Sequence, residues 1–165
     1  MRPILLILLV AALLLTPLAV SAQGVPVIAD LQLEFWPEFD RQAMLVIYRI
    51  RLDPETSFPV ELSSTIPADA GAPHAVAVGS ATGLVNAEYD SESIGDQTVI
   101  RFITDSPIAQ FEYYDPALLI ESDLREYQFE ATLPYPIETL ALQVQEPVGA
   151  NDMLIEPALG AGEIG

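Results

Sequence analysis

The chain has 165 residues with 24 acidic side chains against six arginines, a net charge of −18, and neither lysine nor cysteine. That balance excludes the basic footprint of a nucleic-acid binder, and the missing cysteines exclude disulfides, thiolate chemistry and cysteine-ligated zinc or iron–sulfur sites. An apolar fraction of 51% in a chain of this length suits one domain with a packed core.

The first residues, MRPILLILLVAALLLTPLAVSAQG, carry one charge at Arg2 and an unbroken apolar run from Ile4 to Leu15. Thr16-Pro17 breaks the run, and small residues follow at Val20-Ser21-Ala22. This is the order of a secretory signal peptide, 1–22, with cleavage expected after Ala22 and a secreted or extracytoplasmic destination. Pro17 stops the run well short of the about 20 residues a membrane span needs, so no membrane insertion is expected of the mature chain. No cysteine follows to take a lipid anchor.

Beyond a lead-in at 23–29, apolar residues recur at every second position. ADLQLEF sets Leu31, Leu33 and Phe35 on one face, with Gln32 and Glu34 on the other. The stretch AMLVIYRIRL is apolar on both faces in its first half and on one in its second, as in a central strand that emerges from cover. PVELSSTIP, HAVAVG, LVNAEY, TVIRFI, IAQFEYY, REYQFEAT, TLALQVQ and DMLIE follow as further strands. Turn signals stand between them, from Asp53-Pro54-Glu55 through Ser91 to Asp96 and Pro134-Tyr135-Pro136. The expected fold is all-β, an antiparallel β-sandwich of about 8–10 short strands over 30–157. Prolines near most boundaries rule out long helices; Pro116–Tyr127, with Asp115 as a cap, is the one segment able to hold a helical turn or two. Residues 158–165 read as a flexible tail or truncated linker.

Candidate chemistry is sparse. GSATG, Gly79 to Gly83, lacks the spacing of a serine nucleophile elbow. The single histidine, His74, stands at a strand entrance with no activated nucleophile nearby in sequence. Loop acids suit calcium, which takes six to eight oxygens. Asp90, Glu92 and Asp96 are the first candidates, and Glu121 with Asp123 the second, although neither set matches the D-x-[DN]-x-[DN]-G pattern. Aromatics offer a ligand surface through Trp36, Phe39, Tyr113 and Tyr114. Alternation from Leu31 points Phe35 inward and Trp36 outward unless Pro37 turns the chain, and along IAQFEYYDP it leaves Tyr114 as the exposed tyrosine.

The segments LEFWPEFDR, MLVIYRIRL, AGAPHAVAV, FEYYDPAL and VQEPVGA together resemble extracellular modules of uncharacterised bacterial envelope proteins, and more loosely immunoglobulin or fibronectin type III sandwiches. The resemblance spans most of 30–157 and implies a sandwich, with no catalytic or binding residues to carry over. It also implies a further C-terminal module and membrane segment, with Leu159 to Gly165 as the linker.

The leading expectation is a non-enzymatic structural or interaction module at the cell envelope, partnered by a protein or a glycan. A carbohydrate-binding module using the exposed aromatics is the alternative, and a small hydrolase using carboxylates alone is a third. Binding requires open, coplanar rings flanked by polar groups; a structural role requires those rings to be covered.

Overall fold

The computed structural model describes residues 24–147, 149–156 and 158. The proposed leader and the last seven residues lie outside the described residues. Among the described residues, eleven strands run from Ile28 to Val144, and the one helical feature is a single 3-10 turn at Ala68–Ala70. No helix among the described residues is long and apolar enough to cross a membrane.

The larger sheet has six strands. β1 (Ile28–Pro37), β2 (Met44–Leu52), β4 (Ala75–Ser80), β5 (Gly83–Asn86), β8 (Ile108–Asp115) and β11 (Ile137–Val144) stand in the order β11-β1-β2-β8-β4-β5. β2, apolar on both faces in sequence, is an interior strand. Opposite lies the smaller sheet, with β3 (Val60–Pro67), β6 (Tyr89–Ile94) and β7 (Gln97–Thr104) in the order β3-β7-β6.

Buried residues of the two sheets form one core. Leu31, Leu33 and Phe35 from β1, Val46, Tyr48 and Ile50 from β2, and Phe111 and Tyr113 from β8 meet Val60, Leu62, Ile100 and Phe102 of the smaller sheet. The alternation anticipated for β1, β3 and β8 is the pattern observed, while β2 is buried on both faces from Met44 to Tyr48 and alternates only beyond it, as its sequence led one to expect. At the centre the Tyr48 and Phe111 rings stack 4.2 Å apart, 19° from parallel.

Several local expectations are corrected. The segment 116–127 is not helical: β9 (Leu119–Glu121) and β10 (Leu124–Glu126) form a hairpin. Asp115 does cap, but its Oδ1 accepts from Ala117 N two residues on, at 2.9 Å, which closes a turn rather than starting a helix. Ser122, at φ 49°, then reverses the chain. Ser91 to Asp96, expected as a turn, is mostly β6, because Tyr89 to Ile94 find partners along β7. DMLIE forms no strand, and REYQFEAT contributes only its first two residues to one.

The sheets are also not wholly antiparallel. β11 pairs with β1 in parallel, from Ile28 beside Ile137 to Phe35 beside Val144. Residues 127–136 explain this, because they cross the open side of the sandwich before β11 begins. Phe129 packs edge-on against Phe35 at 4.8 Å, Tyr135 Oη accepts from Ser63 N at 2.6 Å, and Pro136 O accepts from Ile28 N at 2.9 Å. The chain thus returns to the beginning of β1 before turning into β11, and two strands that start together run the same way.

Candidate functional site

Pairing of β1, β2 and β8 brings Trp36, Leu45 and Tyr114 into one row on the outer face of the larger sheet. Pro37 stays in the strand, paired with Met44, so the chain does not turn before Trp36 and the indole faces outward. The turn comes at Glu38, φ 49°, whose N–H donates to Ala43 O at 3.0 Å. Arg125 of β10 braces that turn from below, its Nε 2.5 Å from Glu38 Oε2 and its Nη2 3.3 Å from Oε1.

The turn carries Phe39, Asp40 and Arg41 back over the row. Phe39 meets the Trp36 ring edge to face, 5.1 Å between centroids at 61°, and remains 55% exposed. Beneath it the indole Nε1 is buried with no hydrogen-bond partner among the described residues. Arg41 lays its guanidinium 3.7 Å above the centre of the Tyr114 ring, a cation–π contact, and approaches Asp40 at 3.3 Å. The Tyr114 hydroxyl, ahead of Arg41, holds the Asp40 carboxyl below its ordinary range. Partial burial, and then the Asp40 carboxylate, push the Tyr114 hydroxyl up.

His74 completes the group. Its N–H donates to Glu112 O at 2.7 Å, which adds one rung to the β4–β8 ladder and sets the imidazole edge-on to Tyr114 at 5.2 Å. His74 also lines a small open cleft of about 290 Å³ with Asn86, Glu88 and Tyr89. These contacts are those of a packed aromatic ring rather than of a base poised beside a hydroxyl.

Next to the patch the outer face is polar. Glu34 is buried on β1 and accepts from Arg49 Nε, while Arg49 Nη1 donates to Gln110 Oε1 at 2.6 Å. Asp30 pairs with Arg51 directly across β1 and β2. Opposite charges on neighbouring strands thereby satisfy the sheet's own acids.

Of the four aromatic candidates, the fold brings together Trp36, Phe39 and Tyr114. Tyr113 points the other way, 1% exposed within the core, and has no surface to offer a ligand. The calcium candidates are not gathered. Asp90 and Glu92 lie along β6, with Glu92 3.7 Å from Arg101, while Asp96 sits in the β6–β7 turn. Glu121 and Asp123 flank the β9–β10 reversal. Among the described residues no group of three or more His, Cys, Asp or Glu is placed to hold a metal ion. Asp40 and Arg41 belong to the patch although neither stood out in the sequence, and His74, set aside there as a base, joins it as a packed ring. The charged pair at the tip of a hairpin, beside two aromatics, was the available signal.

The observations define an all-β, sandwich-like domain whose larger sheet carries an aromatic and arginine patch at one end of its outer face. No family model, no curated protein and no solved structure matches the chain.

Proposed function

We propose that the chain is a non-enzymatic, exported module that contacts a protein partner at the cell envelope through Trp36, Phe39, Arg41 and Tyr114. The observation that supports this most is how the rings are used. A sugar stacks on an open, flat aromatic face, but here Trp36 and Phe39 meet at 61° and Arg41 lies over the Tyr114 face at 3.7 Å. Protein interfaces draw their binding energy from tryptophan, tyrosine and arginine anchors in packed clusters, which is the composition of this patch. Phe39, more than half exposed, is the side chain left to enter a partner's pocket. The leader at 1–22 supports export. A β-rich sandwich identifies neither an immunoglobulin nor a fibronectin module by itself, so the proposal rests on the patch.

The test is a photo-crosslinking side chain in place of Phe39, expressed in the native envelope. A single crosslinked protein, lost on Arg41→Ala and absent when the probe stands at exposed Ile103 on the other sheet, is the expected result. Equal crosslinking from both positions would refute the patch as an interface. Glycan-array binding that disappears with Phe39→Ala would replace the reading with carbohydrate recognition. N-terminal sequencing of the released chain should begin at Gln23; retention of 1–22 on a cytoplasmic protein would remove export from the proposal.

A further inference from the structure

β11 is the outermost strand of the six-stranded sheet, so one of its backbone edges has no strand beside it among the described residues. Its register continues the inner row of the core: Leu140 lies beside Leu31, Leu142 beside Leu33, and Val144 beside Phe35. Leu31 and Leu33 are 1% and 4% exposed, whereas Leu140 and Leu142 are 54% and 37% exposed. The change occurs over one strand spacing, about 4.8 Å. It marks where a three-stranded sheet stops covering a six-stranded one.

The backbone is equally open. Gln145 N–H donates to Phe35 O, so by alternation Leu142 and Leu140 direct their N–H and C=O groups to the empty side. Proteins usually protect such an edge with lysine, proline or a bulge. Residues 137–144 contain neither lysine nor proline, and Glu138 is their sole charge.

Charge selects the occupant. Every charged residue after Arg125 is acidic, and the chain as a whole carries −18. A second copy would bring the same field against itself, whereas a strand flanked by lysine or arginine meets complementary charge. We propose that the β11 edge takes an extended segment of a basic protein partner, added as a further strand that lays alternate apolar side chains over Leu140 and Leu142. This surface is distinct from the aromatic patch and stands or falls separately.

The test uses a synthetic peptide of alternating valine and threonine with lysines at both ends, labelled for anisotropy and titrated into the purified protein. It should bind at low salt and weaken about tenfold or more between about 50 and about 500 mM NaCl. The same peptide with glutamate ends should not bind. Hydrogen exchange should slow at 138–144 and nowhere on β6 or the aromatic patch. Leu140→Thr/Leu142→Thr keeps strand-forming residues while removing the apolar row, and should weaken binding about tenfold. Leu142→Pro removes an edge donor and should abolish it; if that variant does not fold, the threonine pair carries the test. Phe39→Ala should leave peptide affinity unchanged. No binding at low salt, binding indifferent to the threonine pair, protection away from β11, or a β11-mediated dimer in sedimentation would each overturn the proposal.

Discussion

Alkaline pH should unfold this domain in a single steep step driven by three tyrosines. Tyr48 and Tyr113 are fully buried and Tyr127 is half-buried, and burial, as the leading cause in each, pushes the hydroxyls far above the ordinary tyrosine range. For Tyr127 the Asp115 carboxylate, which accepts its O–H at 2.8 Å, adds to the effect. In the unfolded chain the same groups ionise near about pH 10. Above that pH the unfolded state binds fewer protons than the folded one, so the stabilisation is fully present below about pH 10 and is lost as pH rises. Each fully buried tyrosine contributes a slope of about 1.4 kcal/mol per pH unit, and with the partly solvated Tyr127 adding less, the three together give about 3–4 kcal/mol. Two units above pH 10 remove about 6–8 kcal/mol, comparable with the about 5–15 kcal/mol of a typical domain. Unfolding is therefore expected near about pH 12. Tyrosinate absorbance followed alongside near-ultraviolet circular dichroism checks it: the absorbance of the buried trio should rise in the same step that abolishes the dichroism. Tyr113→Phe should reduce the steepness by about a third and move the midpoint upward. Smooth ionisation of all tyrosines around pH 10, with the dichroism intact, would refute the reasoning.

Asp115→Ala strips the acceptor from both Tyr127 Oη and Ala117 N at a buried position; chemical denaturation should show a loss of about 2–4 kcal/mol. Arg49→Met leaves the Glu34 carboxylate buried without its cation, and because Arg49 is itself partly solvated the cost should be about 1–3 kcal/mol. Glu34→Leu added to it should recover most of that loss in the same measurement. At Gly79 a Cβ would collide with the Gly83 carbonyl oxygen across the β4–β5 turn. Thermal melting of Gly79→Ala should therefore fall by several degrees, from a cost of about 1–3 kcal/mol.

The strands that carry the core were legible because each declares its own inward face. Met44, Val46, Tyr48, Ile50 and Leu52 alternate without interruption, and that row is the one that enters the core between the sheets, although Leu45 and Ile47 on the other face are buried too. The outward direction of Trp36 followed from the same parity, counted from Leu31. What the sequence concealed depends on distant partners. Residues 119–126 have a composition that either helix or hairpin tolerates, and the choice was made by a side-chain-closed turn at Asp115 and a reversal at Ser122. The parallel placement of β11 arises from how 127–136 cross the sandwich, which no local pattern encodes. The patch was half legible for the same reason. Trp36 and Phe39 are near in sequence, but Tyr114 and His74 join them only through the β2–β8 and β4–β8 pairings.

The parallel pairing of β1 and β11 also has a mechanical meaning. β1 begins at the pole where Ile28 lies beside Ile137, and β11 leaves at the opposite pole, where Val144 lies beside Phe35. Tension applied before Ile28 and after Val144 would draw the two strands along their length in opposite directions. The backbone hydrogen bonds joining them would then be sheared as a group instead of opening one at a time from an end. Resistance to pulling is a rate set by the unfolding barrier rather than by equilibrium stability. A domain joined in this way holds its length when Ile28 and Val144 are pulled apart.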